Sequence, residues 1–175
     1  MSETNHTIRE ATEGDISQIE KFILEHGPNE WNYLPPEPLR NHLEKIRDGE
    51  VRAVIAKTRG QIIGVITLEV TYDYEKYKSN SENRDACGYI AEAVVHRDHA
   101  GKGIGTELIN EAIKHFREAS IREVFAIRHE GNIPSAGMMR KAGMEVVDTF
   151  YDPDKRPTGS RQTTVCRLIL DPPLA

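Results

Sequence analysis

A strand-like apolar run that passes through three glycines into an amphipathic helix constrains this chain more than any other feature. The run ends at Val94-Val95, and residues 101–106 read Gly-Lys-Gly-Ile-Gly-Thr. A turn of this kind leaves unpaired backbone N–H groups at the positive end of a helix dipole. We therefore predict a site for a pyrophosphate-containing ligand at residues 101–106. The helix is predicted from apolar residues at helical spacing, namely Ile104, Leu108, Ile109, Ala112, Ile113 and Phe116.

The remaining pattern predicts an α/β chain, with a mixed central sheet of about seven strands and about four helices. The predicted strands cover residues 7–11, 51–57, 61–71, 87–96, 123–128, 144–151 and 163–169. The predicted helices cover residues 16–26, 37–48, 104–119 and 132–141. Ligands of open α/β sheets bind beyond the carboxyl ends of the strands, which is where the glycine turn follows the strand near residue 90.

The composition narrows the classes of function. Acidic residues outnumber basic ones by 28 to 23, a formal net charge of −5 that argues against non-specific nucleic-acid binding. No apolar stretch approaches the roughly 18–20 residues of a membrane span. The first residues lack an export pattern, and Cys87 and Cys166 are expected to be reduced thiols. We expect a single domain over residues 1–175, in the cytoplasm, without a membrane or nucleic-acid partner.

Two other phosphate-binding motifs do not fit the spacing of these glycines. A Walker A loop needs Gly, four residues, then Gly-Lys-Ser or Gly-Lys-Thr, whereas Lys102 is followed by Gly103. A dinucleotide fingerprint needs Gly-x-Gly-x-x-Gly, and Gly101-Lys102-Gly103-Ile104-Gly105 does not supply its third glycine. The remaining alternative is a tight turn that binds no ligand.

Two segments carry a resemblance to a known family. Residues 95–105, Val-His-Arg-Asp-His-Ala-Gly-Lys-Gly-Ile-Gly, resemble the acyl-CoA-binding motif of the GNAT N-acetyltransferase superfamily. Residues 132–144, from Asn132 to Met144, are similar to a second segment of that family. The resemblance covers almost the whole chain. It implies the GNAT acyl-CoA N-acyltransferase fold, acetyl-CoA as cosubstrate, and acetyl transfer to an amine with no metal and no covalent enzyme intermediate.

The resemblance also assigns residues to the donor. The backbone of Val94 and Val95 would contact the acyl carbonyl and the pantetheine arm. Asn132 would bond the pantetheine arm or cap the helix that follows it, and the two roles can coexist. The pyrophosphate would be held by the backbone of Gly101, Lys102, Gly103, Ile104, Gly105 and Thr106.

Two positions depart from the family pattern. Ala100 stands where the family usually has Arg or Gln, but the motif works largely through backbone N–H groups. Met139 stands where many members have a tyrosine that protonates the departing thiolate, and a thioether cannot donate a proton. Tyr89 and Tyr151 are candidates to replace that donor, as are water and the amine product.

Glu92 is the candidate catalytic base. It interrupts the otherwise apolar residues 90–95 next to the predicted acyl site, where a carboxylate is costly unless it is paired or functional. The amine must lose a proton before it attacks, which a base at this position would accept. The alternative is a carboxylate that faces a wet groove or forms a salt bridge in the sheet. His96 and His99, near the turn, are interpreted as solvated loop residues.

The acceptor is predicted to be the primary amine of a small molecule, such as an amino acid, a polyamine or an antibiotic-like compound. Trp31 and Tyr33 are candidate acceptor-binding residues because they lie in a loop between two predicted helices, and ordinary loop packing is the alternative. Residues 72–85 and 152–161 are further candidate loops. A protein N-terminus or lysine as acceptor, and a non-catalytic module that binds acyl-CoA, remain alternatives. Many relatives are dimers, so a homodimer is also expected.

Overall fold

Seven strands form one mixed sheet in the computed structural model, which describes residues 5–80 and 82–170. The strand order is β1-β2-β3-β4-β5-β7-β6. The strands are β1 (Thr7–Glu10), β2 (Val51–Thr58), β3 (Gln61–Thr71), β4 (Cys87–Val95), β5 (Glu123–His129), β6 (Glu145–Tyr151) and β7 (Gln162–Ile169). The α-helices of the described residues are α1 (Ile16–His26), α2 (Pro36–Glu44), α3 (Ile104–Glu118) and α4 (Ile133–Lys141). The predicted fold class and element order are confirmed.

The second helix is shorter than predicted. It ends at Glu44 rather than Asp48, and the chain continues through i→i+3 turns such as Ile46 N–H to the Leu43 carbonyl (3.0 Å). Gly49 then adopts φ +81°, a conformation that glycine reaches without strain. The apolar spacing continues through Ile46, but the backbone must turn here to enter β2.

Helices cover both faces of the sheet, because successive residues of a strand point to opposite faces. One face of β2 and β3 packs on α1 and α2, with a core that includes Ala53, Ile55, Val65, Ile19, Ile23 and Leu43. The other face packs on α3, with a core that includes Val54, Ile66, Ile90, Leu108, Ile109 and Phe116. None of the helices in the described segments is both long enough and apolar enough to cross a lipid bilayer.

Strand β4 is irregular at the point where it leaves its neighbour. Its register with β3 shifts between Ile66 and Leu68, so that the buried Thr67 lies opposite a bulge in β4. The Thr67 hydroxyl accepts a hydrogen bond from Glu92 N–H at 3.0 Å and lies 2.9 Å from Nε2 of His42. This side-chain bond replaces a backbone ladder bond that the bulge removes.

The parallel pairing of β4 with β5 is short. Among the described residues it joins only Gly88–Ile90 to Val124–Ala126. Beyond Ile90 the two strands separate, although β4 stays paired with β3 as far as Val95. The sheet therefore opens on one side of residues 91–95.

Candidate active site

The gap between β4 and β5 leads into a cleft of about 710 Å³. Its walls come from the end of β4, the glycine turn, the loop between α1 and α2, and the first turns of α4. The lining residues are His26, Gly27, Pro28, Asn29, Asn32, Ala93, Val94, Val95, Arg97, His99, Ala100, Gly101, Gly103, Ile104, Gly105, Thr106, Asn132, Ile133, Pro134, Ser135, Gly137, Met138, Arg140 and Lys141.

The glycine turn presents an uncapped helix N-terminus to this cleft. Gly101 and Gly103 have φ +75° and +84°, and Gly103 is the N-cap of α3. No side chain of the described chain caps α3, and its first hydrogen bond back to the turn is Glu107 N–H to the Gly103 carbonyl at 3.0 Å. The N–H groups of residues 104–106 precede that bond and are left without helical acceptors. They form a site that suits a phosphate group.

Gly105 serves a different purpose. A Cβ atom there would overlap the Met138 sulfur of α4. The absent side chain therefore lets α3 and α4 approach closely at the wall of the cleft. The three glycines of the motif serve two purposes, left-handed backbone at 101 and 103 and close helix packing at 105.

The charge of the cleft is opposite to that of the chain. Its described lining contains Arg97, Arg140 and Lys141 and no aspartate or glutamate, although the chain has a net charge of −5. Cations and free backbone donors at one wall complement a polyanion. The residues present therefore fit the phosphates of coenzyme A, with the apolar Val94, Val95 and Met138 beside them.

Most of the predicted donor-binding residues come together here. The lining includes Val94, Val95, Gly101, Asn132 and the segment 103–106. Lys102 belongs to the same turn but is exposed and does not line the cleft. The Asn132 side chain accepts a hydrogen bond from Ser135 N–H at 3.1 Å, so it caps α4 and lines the cleft as well.

Glu92 lies one residue before the cleft wall and is partly buried. Burial raises the pKa of its carboxyl to about 7, against the opposing effect of Lys155 and Arg156. A carboxyl group with such a pKa exchanges a proton readily near neutral pH. Lys155 and Arg156 belong to the β6–β7 loop, which thus reaches Glu92 from the far end of the sheet.

Two loops meet over the carboxyl end of β5. The Thr158 hydroxyl of the β6–β7 loop donates to the Glu30 carbonyl of the α1–α2 loop. His129, the buried last residue of β5, accepts from Gly131 N–H through Nδ1 (2.8 Å), so its Nε2 donates to the Thr158 carbonyl (2.8 Å). The indole nitrogen of Trp31 lies next to Gly131. These contacts join the two loops into one cover.

The predicted acceptor residues do not line the donor cleft. Trp31 contributes to the cover just described, and Tyr33 is 58 % exposed. In the 72–85 segment, Tyr74 stacks on Phe125 with ring centroids 5.0 Å apart, and the Tyr77 hydroxyl donates to Asp148 at 2.5 Å. These two tyrosines pack against β5 and β6 rather than bordering an open pocket.

The candidates for the proton donor lie outside the cleft. Met139 is buried in the core beside α3, which accounts for an apolar residue at this position. Tyr151 is 63 % exposed on the edge strand β6. Tyr89 lies near Tyr74, with ring centroids 5.3 Å apart, and burial raises its pKa well above 10. Neither tyrosine lines the donor cleft, and Met139 does not line it either.

A histidine cluster at the cleft differs from the sequence prediction. His96 and His99, predicted to be solvated, are partly buried, and the His96 ring packs against His26 at a tilt of 37°, with centroids 4.1 Å apart. Desolvation lowers the pKa of both His26 and His99, which favours the neutral rings. His26 comes from α1, distant in sequence from the glycine turn, and no local pattern could have identified it as a cleft residue.

Comparison with known proteins agrees with this geometry. Solved structures of similar fold include Arabidopsis thaliana NAA60 in complex with acetyl-CoA, which has a TM-score of 0.76 at 15% identity over 95% of this chain and 99% of that one. A Drosophila melanogaster polyamine N-acetyltransferase has a TM-score of 0.72 at 15% identity, over 95% and 100% of the two chains. A ribosomal-protein-alanine N-acetyltransferase from Brucella melitensis has a TM-score of 0.71 at 22% identity, over 94% and 99%.

Sequence comparison defines the family. No curated protein sequence matches the chain significantly. The family model described as "Acetyltransferase (GNAT) family" matches residues 16–144, which include β4, the glycine turn and α4. The chain therefore belongs to the GNAT family of acetyltransferases, and acetyl-CoA is its acetyl donor.

Proposed function

We propose that this acetyltransferase acts on the primary amine of a small molecule, which attacks the acetyl group directly while both substrates are bound. The observation that carries the proposal is the carboxyl group of Glu92, whose pKa burial raises to about 7, next to Ala93 on the cleft wall. An ammonium ion cannot attack a thioester, so a group that takes its proton near neutral pH is required.

The donor side of the proposal rests on backbone groups. Acetyl-CoA, when bound, supplies an activated thioester. His96 N–H donates to the Ile63 carbonyl of β3 at 2.8 Å, and backbone groups alternate along a strand, so Val95 N–H faces away from β3 toward the gap. A fixed N–H in that position would stabilise negative charge on the acyl oxygen. The N–H groups of residues 104–106 would hold the pyrophosphate.

On the acceptor side, Glu92 would take the proton of the amine directly or through one water molecule. Met139 cannot protonate the departing thiolate, because it is buried and has no acidic hydrogen. The thiolate would then receive its proton from water or from the amine product. Neither step requires a covalent intermediate on the protein.

The joined loops favour a small acceptor over an extended polypeptide. The hydrogen bond between Thr158 and the Glu30 carbonyl connects the β6–β7 loop to the α1–α2 loop. The contact of Trp31 with Gly131 connects the α1–α2 loop to the β5–α4 loop. The same β6–β7 loop reaches Glu92. A cover of this kind restricts the space around the base more than an open groove would.

A screen that follows the release of free CoA tests the proposal. Amino acids, polyamines, aminoglycosides and peptides are each offered with acetyl-CoA at pH 8. We expect release with a small amine and its loss in Glu92→Gln. Release with peptides alone would instead establish a protein acceptor, and full activity in Glu92→Gln would remove this residue from the mechanism.

Three further expectations from the sequence stay predictions. They are a single domain over residues 1–175, a cytoplasmic location and a homodimer. Light scattering coupled to gel filtration would measure the oligomeric state, and limited proteolysis would test the single domain.

A further inference from the structure

Arg156 is a buried cation whose position the acetyl-transfer chemistry does not explain. It lies in the β6–β7 loop and is only 6 % exposed. Its backbone N–H donates to the Asp152 carbonyl, and Asp152 N–H donates to the Arg161 carbonyl, each at 2.8 Å. The loop therefore closes on itself and holds Arg156 at a fixed place beside Glu92.

The guanidinium group is only partly paired. Its Nε donates to the Thr163 hydroxyl at 3.0 Å, and that hydroxyl donates in turn to Asp152 at 2.7 Å. The two terminal amino groups of Arg156 make no hydrogen bond to any residue in the described ranges. They are not among the fully buried atoms that lack a partner, so they keep some contact with solvent. A buried arginine with free, accessible N–H donors is costly unless it binds something that comes from outside.

Two carboxylates and a second cation lie near this group. Asp152 and Glu92 are the carboxylates that favour the cation at Arg156, while Lys155 adds a second cation. Desolvation lowers the pKa of Arg156, which is buried. With Glu92 ionised, as the proton transfer requires, two carboxylates face two cations, and the terminal N–H groups of Arg156 still have no acceptor among the described residues.

We propose that Arg156, assisted by Lys155, binds a carboxylate of the acceptor, which is therefore a small primary amine that also carries a carboxylate, such as a free amino acid. This inference rests on the proposed function, because it places the acceptor's amine beside the Glu92 base. The planar fork of a guanidinium matches a carboxylate through two parallel hydrogen bonds. Polyamines, which offer only cations, are disfavoured at the same place.

Matched pairs of acceptors test the proposal. Lysine is compared with cadaverine, arginine with agmatine, and phenylalanine with phenethylamine, by kcat/KM for CoA release at saturating acetyl-CoA. We expect kcat/KM to be at least about tenfold higher for the amino acid of each pair, because a hydrogen bond to a charged group contributes roughly that much. Arg156→Gln should lower kcat/KM for the amino acid by about 10- to 100-fold and leave its decarboxylated partner nearly unchanged.

Control variants separate the site from general effects on the loop. Arg161→Gln removes the same charge from an exposed position of the same loop and should keep the preference. Arg156→Lys keeps the charge without the fork and should fall between wild type and Arg156→Gln. If Arg156→Gln does not fold, Lys155→Gln, at an exposed position, should still reduce the preference.

The outcomes distinguish this inference from the proposed function. Equal or better turnover of the decarboxylated amines would overturn the carboxylate site while the amine acetyltransferase stands. A second measurement needs no turnover, since N-acetyl amino acids with CoA should raise the melting temperature of wild type more than that of Arg156→Gln. If that difference is seen but no small amine releases CoA, the proposed function fails and the carboxylate site remains. Absence of the difference, together with no turnover, overturns both.

Discussion

The backbone of Gly88 on β4 lies directly against the ring of Phe116 on α3. A Cβ atom at position 88 would lie 2.7–2.9 Å from three ring carbons, closer than atoms can pack. Phe116 is 2 % exposed and cannot move aside without disturbing the core. We predict that Gly88→Ala lowers the free energy of unfolding by about 1–3 kcal/mol, measured by urea denaturation.

The smaller side chain in Phe116→Leu should relieve this overlap. In that background Gly88→Ala is expected to cost less than about 1 kcal/mol, and the double-mutant cycle would give a favourable coupling between the two positions. Additive effects would show that the glycine is required for another reason.

Donor binding should depend on the left-handed glycine at the start of α3. At one hundred times its dissociation constant, acetyl-CoA should raise the melting temperature of wild type by about 5–10 °C. Gly103→Glu should abolish this shift, because it places bulk and negative charge at the uncapped N-terminus of α3. Differential scanning fluorimetry measures both.

Gly49 offers a matched control for this variant. It has φ +81° against +84° at Gly103, and an added Cβ would meet open space at both positions. Gly49→Glu therefore introduces the same strain and charge in the turn before β2. It should lower stability without reducing the acetyl-CoA shift, and an equal loss in both variants would argue against a phosphate site at residues 101–106.

The pH dependence of turnover should follow Glu92. With a pKa of about 7, the carboxyl is protonated and unable to accept a proton at low pH, so kcat/KM should rise as pH increases through about 7. Glu92→Gln should lower kcat by about 10²–10⁴-fold and remove this rise. A profile of unchanged shape in the variant would assign the titration to another group.

The same carboxyl should reduce stability at high pH. Its folded pKa lies above the unfolded value near 4.5, so the folded state binds its proton more tightly, and stability falls as pH rises from about 4.5 to 7. Glu92→Gln should therefore be more stable than wild type at pH 8, by no more than about 3 kcal/mol, and nearly equal at pH 4. Urea denaturation at the two pH values measures the difference.

Asp15 should have the opposite pH dependence. Arg9 donates to both of its carboxylate oxygens (2.8 and 2.9 Å), and this hydrogen bonding holds the pKa of Asp15 well below its usual range. Its contribution is present above the unfolded pKa near 3.8 and is lost as pH falls further. Asp15→Asn should cost about 1–2 kcal/mol at pH 7, since Arg9 is partly exposed, and less at pH 3.

Local patterns in the sequence predict the glycine turn and the order of the helices and strands along the chain. The turn at residues 101–106 can be predicted because its glycines and the amphipathic repeat that follows them lie within one short segment. The end of α2 at Glu44 cannot be predicted in this way, because the apolar spacing continues past it. Its end depends on where β2 begins, which is a tertiary constraint.

The features that shape the site depend on residues far apart in sequence. The bulge beside Glu92 involves Thr67 of β3, and the cation that acts on Glu92 is Arg156 of the β6–β7 loop, far along the chain. The sequence identifies Glu92 as unusual, but the partners that act on it come from loops whose paths no local pattern specifies. The acid-free lining of the cleft likewise becomes visible only once α1, β4 and α4 are brought together.

Because the parallel pairing between β4 and β5 is short, a ligand in the cleft should affect how firmly the two halves of the sheet are held together. In the described chain, three residue pairs join the β1–β4 half of the sheet to the β5–β7–β6 half. The cleft has β4 on one wall and α4, which follows β5, on the other. A donor that fills it bridges two halves that the backbone leaves largely apart. Donor binding should therefore make the sheet more rigid. The amides of residues 88–90 and 124–126 should exchange with solvent more slowly whenever the cleft is filled.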